Sequence, residues 1–319
     1  MQKKAACAVT FDLLLVQCAL CGIACFYYGM RPLLLCIIAV CTCFLLDYCS
    51  VTLRHFPYRA AHLDCLTTGM TLALLMPASV SYAVLIISCF VAIIIGKALL
   101  GGRSNLLFPP AAIGYLFAIF CWKNEVLQYP APGTTLALLP RIHVPLQNAV
   151  STAYNLNSVV TASPESIWLG KLAGPMGAAP FLLLVVGGLV LLLRRSVSPT
   201  VCLGAIGTFL LYAVSIPFPG TNAVAFRNLL LTNLHLFGIL FLAGDVRLAP
   251  KGLCGVLYGT MLTAVSLLFT LRFSVEYGIV VAVVLLSPAC VVLKQQAEKI
   301  AKLREAPKAE AAMTNANPS

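Results

Sequence analysis

Long apolar runs alternate with short polar breaks along this chain. Ten apolar segments stand out, at about residues 8–29, 33–50, 64–78, 81–99, 107–122, 178–193, 199–217, 227–244, 252–271 and 275–293. An apolar run of roughly 20 residues has the length of a helix that spans a bilayer. The third and fifth segments fall short of that and are bounded by proline: Pro77 follows one, and Pro109-Pro110 opens the other. Shortened or interrupted helices at membrane depth are tolerated where they line a site inside the protein. The pattern predicts an all-α polytopic membrane protein of about ten transmembrane helices.

Five segments precede the one long polar stretch, about residues 123–177, and five follow it. An odd number of spans per half forces the halves into opposite orientations, so two inverted five-helix halves are expected. The chain divides into a first helical half (1–122), a loop (123–177), a second helical half (178–293) and a tail (294–319) that mixes Lys, Glu and Ala. The tail reads as a frayed helix with a disordered end. The halves share a loose pattern. Thr67-Thr68-Gly69-Met70 and a helix ending Gly96-Lys97 in the first compare with Thr232-Asn233-Leu234 and a helix ending Gly244-Asp245 in the second.

Composition agrees with lipid as the solvent. Of 319 residues, 61% are hydrophobic and only 10% charged, with a mean hydropathy of +0.96. A soluble domain carries about 25% charged residues. The net charge is +11, and its distribution carries the information, because Lys and Arg collect on cytoplasmic loops. With alternating spans and the N-terminus inside, fifteen Lys and Arg fall inside and six outside. Both termini are then cytoplasmic, and the loop 123–177 lies on the outer side of the membrane. The basic residues form no single stripe, which argues against nucleic acid as a partner. The start, Met-Gln-Lys-Lys, runs into apolar sequence without an Ala-x-Ala cleavage site and reads as a retained first helix.

Fourteen cysteines change the picture little. Most lie in apolar runs and none in the long loop, where an exported disulfide framework would place them. They read as small soft apolar residues. Cys18, Cys21 and Cys25 share one helix face by spacing, and an intramembrane iron–sulfur ligand set is the sharper alternative.

Ionisable residues at membrane depth cost roughly 2.5–3.5 kcal/mol each on translocon scales, so each is a candidate. Asp64 opens the short third segment, where a helix N-terminus favours a carboxylate. Asp245 ends the eighth beside Arg247, where an interfacial ion pair is the plainer reading. These two are the ion-pathway candidates. Asp12 and Asp47 read as interfacial. Lys97 ends the fourth segment, where a lysine can snorkel, and it is also a cofactor-binding candidate. Gly101-Gly102-Arg103-Ser104-Asn105 is a polar turn whose backbone N–H groups, with Asn105, suit an anion or an isoalloxazine edge. Of the four histidines only His235 lies in a span, as a packed polar residue. Neither a Gly-x-Gly-x-x-Gly fingerprint nor a Ser–His–Asp arrangement occurs, so no catalytic residue is assigned.

Several blocks resemble a known family. Asp64-Cys65-Leu66-Thr67-Thr68-Gly69-Met70 through Leu75-Met76-Pro77, Ile95-Gly96-Lys97-Ala98-Leu99-Leu100-Gly101-Gly102, and Phe108-Pro109-Pro110-Ala111-Ala112-Ile113-Gly114-Tyr115 are similar to the first half of the D-type subunit of the Rnf electron-transport complex. That family is shared with the B-type subunit of the sodium-translocating NADH:quinone reductase. Ile167-Trp168-Leu169-Gly170 through Gly174-Pro175-Met176-Gly177, Leu230-Leu231-Thr232-Asn233 through Phe241-Leu242-Ala243-Gly244-Asp245, and Tyr277-Gly278 continue the resemblance in order. It implies FMN joined by a phosphoester to a hydroxyl in an outer loop, attached by a flavin transferase. The family's Asp-x-x-Ser-Gly-Ala-Thr-Pro falls on Asn157, Val160, Thr161, Ala162, Ser163 and Pro164, of which Ala162 and Pro164 match fully. Ser163 keeps the hydroxyl and is the expected acceptor, with Thr161 beside it. A second, non-covalent flavin such as riboflavin, near the inner side, is implied by the family alone.

The expectation is a membrane subunit of an Rnf-type complex. It relays electrons through flavin, next to partner Rnf subunits, and couples ferredoxin and NAD redox chemistry to sodium or proton movement. The quinone-reductase homologue and a flavin-free channel or transporter for a small solute are the alternatives.

Overall fold

In this computed structural model, residues 2–55, 63–100, 108–138, 145–149, 164–215, 234–273 and 275–315 are described. The first half contains α1 (Gln2–Tyr28), α2 (Arg31–Leu53), α3 (Asp64–Leu75), α4 (Tyr82–Phe90, continuing as a π-helix over Val91–Leu99) and α5 (Pro110–Val126). The connecting region holds an antiparallel ribbon of β1 (Gln128–Pro130) and β2 (Leu146–Asn148), with Tyr129 opposite Gln147, and a short α6 (Pro164–Leu169). The second half contains α7 (Phe181–Leu193), α8 (Pro199–Ser215), α9 (His235–Gly238, continuing as a π-helix over Ile239–Ala243), α10 (Leu253–Phe273) and α11 (Gly278–Asn315).

Each of the ten predicted segments therefore holds a helix, and the protein is a polytopic membrane protein. Among the described residues, five helices are long and apolar enough to cross a membrane: those over Cys7–Tyr28, Arg31–Leu53, Tyr82–Leu99, Leu253–Phe273 and Gly278–Ile300. Asp64–Leu75, Phe181–Leu193 and Pro199–Tyr212 are shorter apolar helices. The local causes are ordinary. Pro32 and Pro110 occupy first-turn positions, where a missing N–H costs nothing, and Ser81 caps α4 by accepting from the Val84 amide. Gly29, at φ +80°, ends α1 and turns the chain into α2. Two boundaries differ from the expected ones. α5 runs on through the polar Lys123-Asn124-Glu125, past a non-helical Trp122, because those residues lose little by staying helical. The tail is continuous with the last span as one helix to Asn315.

The helix ends gather at two faces. At one, called here the tail end, Arg247 after α9 meets Thr10 of α1 and, through its carbonyl, Lys294 of α11. Asp12 of α1 pairs with Arg194 at the end of α7. At the opposite, loop end, the buried Arg31 at the start of α2 donates to the carbonyls of Ala137 and Val80, each at 3.0 Å, and lies over the Tyr82 ring. The Gly177 amide donates to the Leu74 carbonyl at 2.8 Å, laying the approach to α7 across the end of α3.

Pairings recur between the halves. α2 packs on α3 and α4, α4 on α5, and α3 on α5; likewise α8 packs on α9 and α10, α10 on α11, and α9 on α11. Across the halves, first helix meets first helix (α1 with α7) and last meets last (α5 with α11). The first half adds contacts of α1 with α2 and α3, and of α3 with α4. Between membrane helices there is little hydrophobic drive, so close packing at small residues holds them. A Cβ added at Gly114 of α5 would stand 2.6 Å from the Ser88 carbonyl oxygen and 2.9 Å from the Ala92 Cβ; one at Gly69 of α3 would stand 2.8 Å from the Ala39 carbonyl oxygen.

Substituting Gly114→Val is expected to destabilise the α4–α5 contact by at least the roughly 1–3 kcal/mol typical of overpacking. Gly207→Ala, with nothing within 4 Å of its Cβ, is expected to be close to neutral. Thermal unfolding in detergent, followed by loss of the monodisperse elution peak, distinguishes the two.

Candidate functional site

The tail end concentrates charge that the lipid-facing surface excludes. Lys97 sits on the π-helical end of α4 and is 4% exposed. Its Nζ lies 2.7 Å from Asp64 Oδ1 at the start of α3 and 3.0 Å from Asp47 Oδ1 near the end of α2, itself 3% exposed. An isolated ammonium here is untenable, and two carboxylates share its answer. The expectations for these residues differ from the finding. Lys97 does not snorkel and Asp47 is not interfacial; the two bury each other, because each supplies the countercharge the other needs. The helical period places Asp47 toward the inside of the bundle along with Cys43, Ala39 and Leu35, all buried.

On the second half, the Asp245–Arg247 pair is present, with Arg247 Nε 2.9 Å from both carboxylate oxygens. Asp245 also bridges in antiparallel fashion to Val197, and the Ser198 amide donates to the Gly244 carbonyl at 2.7 Å, so α9 ends tied to the start of α8. Asp12 also accepts from Ser196 Oγ at 2.6 Å.

Between these groups lies a cavity of about 550 Å³. Both halves line it: Gln17, Asp64, Thr68, Thr71 and Phe108–Ala111 from the first, and Phe241–Ala243, Asp245, Arg247, Ser287 and Lys294 from the second. Lys97 stands behind Asp64 and is not itself part of the lining. The wall has a definite hydrogen-bonding polarity. The Thr67, Thr68 and Thr71 hydroxyls donate to backbone carbonyls of their own helix, and Gln17 Nε2 donates to Thr71 Oγ1 at 2.7 Å. Gln17 Oε1 is left buried without a donor. One wall is thus lined by threonine hydroxyls, and the rim carries the Arg247 and Lys294 cations together with the carboxylates of Asp64, Asp245 and Glu298. The space is within the roughly 300–1,000 Å³ of small-molecule sites. π-helical turns recur at functional sites; the first carries Lys97 and the second lines the cavity with Phe241–Ala243.

A second polar group lies at the loop end. Glu276, in the turn between α10 and α11, is buried, and Tyr129 of β1 donates to its Oε1 at 2.6 Å. Sequence reasoning passed over Glu276. The available signal was that it is the lone acid between Asp245 and Glu298 and stands at the head of an apolar run.

Of the expected site residues, Asp64 and Asp245 come together on the cavity wall, and Lys97 supports Asp64. Ser163, Thr161 and Asn105 lie outside the described residues, as does the Gly101–Asn105 turn. All fourteen cysteines are free thiols, and among the described residues no group of three or more metal-ligating side chains is assembled.

Comparisons with known proteins bear on what this arrangement does. The family model described as the NQR2, RnfD, RnfE family matches residues 2–299. Relatives include the D-type subunit of an ion-translocating oxidoreductase complex of Actinobacillus succinogenes, 25% identical over 279 residues, covering 74% of this chain and 78% of that protein. The Rhodobacter capsulatus protein of the same description is 24% identical over 271 residues, covering 75% and 76%. The D-type subunit of a proton-translocating ferredoxin:NAD(+) oxidoreductase complex of Clostridium ljungdahlii is 24% identical over 283 residues, covering 82% and 81%.

Removing one partner from a buried ion pair costs about 3–5 kcal/mol, because the other charge stays buried. Lys97→Met is expected to lose stability in that range, and adding Asp47→Asn to it is expected to recover part of the loss. Detergent–SDS unfolding titrations of the single and double variants read this directly. Equal losses in both would remove the ion-pair account.

Proposed function

The chain belongs to the NQR2, RnfD, RnfE family, and we propose that within it this protein is the D-type membrane subunit of an Rnf-like ion-translocating oxidoreductase complex. The observation that carries the reading is the family match across nearly the whole chain, with relatives named as D-type subunits of such complexes. In this reading the ten helices form two inverted five-helix halves with both termini cytoplasmic. The recurring pairings, the first-to-first and last-to-last contacts between halves, and the bias of Lys and Arg support it. The loop then faces outward and the cavity inward.

Two flavins are proposed. FMN is joined through a phosphoester to Ser163 in the outer loop. A non-covalent flavin such as riboflavin occupies the tail-end cavity. The cavity fits an isoalloxazine in its volume and in the threonine hydroxyl oxygens of its wall, which suit an imide N–H. Bound flavin supplies one- and two-electron transfer. The chain's own residues do the rest. Thr68, Phe108 and Phe241 are among the lining residues that would hold the group, and the Lys97–Asp64 and Arg247–Asp245 pairs would set the local field. Partner Rnf subunits bind ferredoxin and NAD, a flavin transferase loads the loop, and sodium or protons are the ions moved. Asp64 and Asp245, on the cavity wall, are the acids through which an ion would pass.

Co-expression with a flavin transferase, followed by denaturation and in-gel fluorescence, tests the covalent claim. Fluorescence is expected in the parent chain and in Ser163→Thr, and is expected to vanish in Ser163→Ala. Ser163 peptides recovered at unmodified mass from the parent chain would instead favour the flavin-free transporter.

A further inference from the structure

The loop-end carboxyl of Glu276 has no role in the flavin reading, and its setting is unusual. It lies about 27 Å along α11 from Lys294, at the face opposite the cavity. It is 5% exposed, and Tyr129, from β1, is fully buried against it. Glu276 Oε2 has no hydrogen-bond partner. Tyr115 of α5, also fully buried, interacts with both Glu276 and Tyr129, and its Oη has no well-formed hydrogen bond either. The groups facing Glu276 are therefore Tyr129 from the ribbon, Tyr115 from α5 and its neighbour Tyr277. Among the described residues no Lys, Arg or His forms an ion pair with it.

A buried carboxylate with no countercharge and one bare oxygen is an expensive arrangement. A carboxylate accepts hydrogen bonds only; a carboxylic acid also donates. A proton on Oε2 removes the uncompensated charge and gives the bare oxygen a bond to offer. Meanwhile Oε1 keeps the Tyr129 hydrogen bond in either state.

We propose that Glu276 is a proton-binding site at the loop end of the α5–α11 seam, exchanging a proton with loop-side water at Oε2 while Tyr129 holds Oε1. Uptake forms the O–H bond on the carboxylate from hydronium and leaves water; release reverses both. The site sits where the two halves meet last helix to last helix and where the ribbon closes on them, so its charge reports on, and acts on, that closure. Burial pushes the carboxyl up from the ordinary 4.5 to about 7, and the Tyr129 hydroxyl pulls the other way. The sign follows. Closed over the site, the protein holds the proton more tightly than a solvated carboxyl does, so opening of the ribbon becomes easier as pH rises from 4.5 through about 7. The inference goes beyond the proposed redox role and is independent of any flavin.

The experiment is infrared difference titration of the full chain in lipid nanodiscs, from about pH 5 to about pH 9. A protonated-carboxyl C=O band is expected to disappear with a midpoint near 7, and to be missing from Glu276→Gln. Should that variant fold poorly, Tyr129→Phe serves instead. It removes the hydrogen bond that favours the ionised form, so the midpoint is expected to move upward by about one unit. A merely structural Tyr129 would leave the midpoint in place. No titrating band that is lost in Glu276→Gln, or an unmoved midpoint in Tyr129→Phe, overturns the proposal.

Discussion

A charge placed in an apolar surround must be answered within hydrogen-bonding distance, and that constraint fixes the tail end of this protein. Lys97 can be buried only because Asp47 and Asp64 come to it from two other helices. Meeting that demand brings the end of α2, the start of α3 and the π-helical end of α4 to one point. The same logic ties Asp12 to Arg194 across the halves and Arg247 to Asp245 and Thr10. Such pairs add little net stability over a packed apolar core, but they are intolerant of misplacement. Their effect is to hold the helix ends in register around the space between them.

That space is the consequence. Polar groups that would otherwise have to be paired are gathered on one cavity wall, with their donors spent on the protein itself. The two π-helical segments interrupt α4 and α9 on the way to it, one presenting Lys97 and the other Phe241–Ala243. They fall on non-equivalent helices of the two halves, so the recurring helix pairing is a scaffold on which the halves have diverged. The loop end obeys the same constraint differently: Arg31 is satisfied by carbonyls, while Glu276 has the Tyr129 hydroxyl and, among the described residues, no countercharge.

Much of this was legible in the sequence, because the bilayer requires long apolar runs and these mark helices whatever they pack against. All ten segments, the short third helix bounded by Pro77 and the Asp245–Arg247 pair were visible in the pattern. The Lys97 triad was not. Asp47, Asp64 and Lys97 are far apart in the chain, and each taken alone has an innocent reading as an end-of-helix residue. Only packing reveals that they meet. Glu276 was missed for a related reason, since a single acid at the head of an apolar run looks interfacial until Tyr129 is seen to cover it. The cavity lining was legible only through the family resemblance, as separate blocks at Thr67–Thr71, Phe108–Ala111 and Phe241–Asp245 that the fold then brings to one place.

The central claim is that the cavity between the halves seats a flavin without a covalent bond. It is tested by acid release of flavin from the purified full chain, compared with Thr68→Trp, which fills the cavity from its α3 wall. The account predicts stoichiometric non-covalent flavin from the parent chain, and its loss from Thr68→Trp while the variant still elutes as the same folded species. Equal release from both, or no non-covalent flavin from the parent chain, would contradict it.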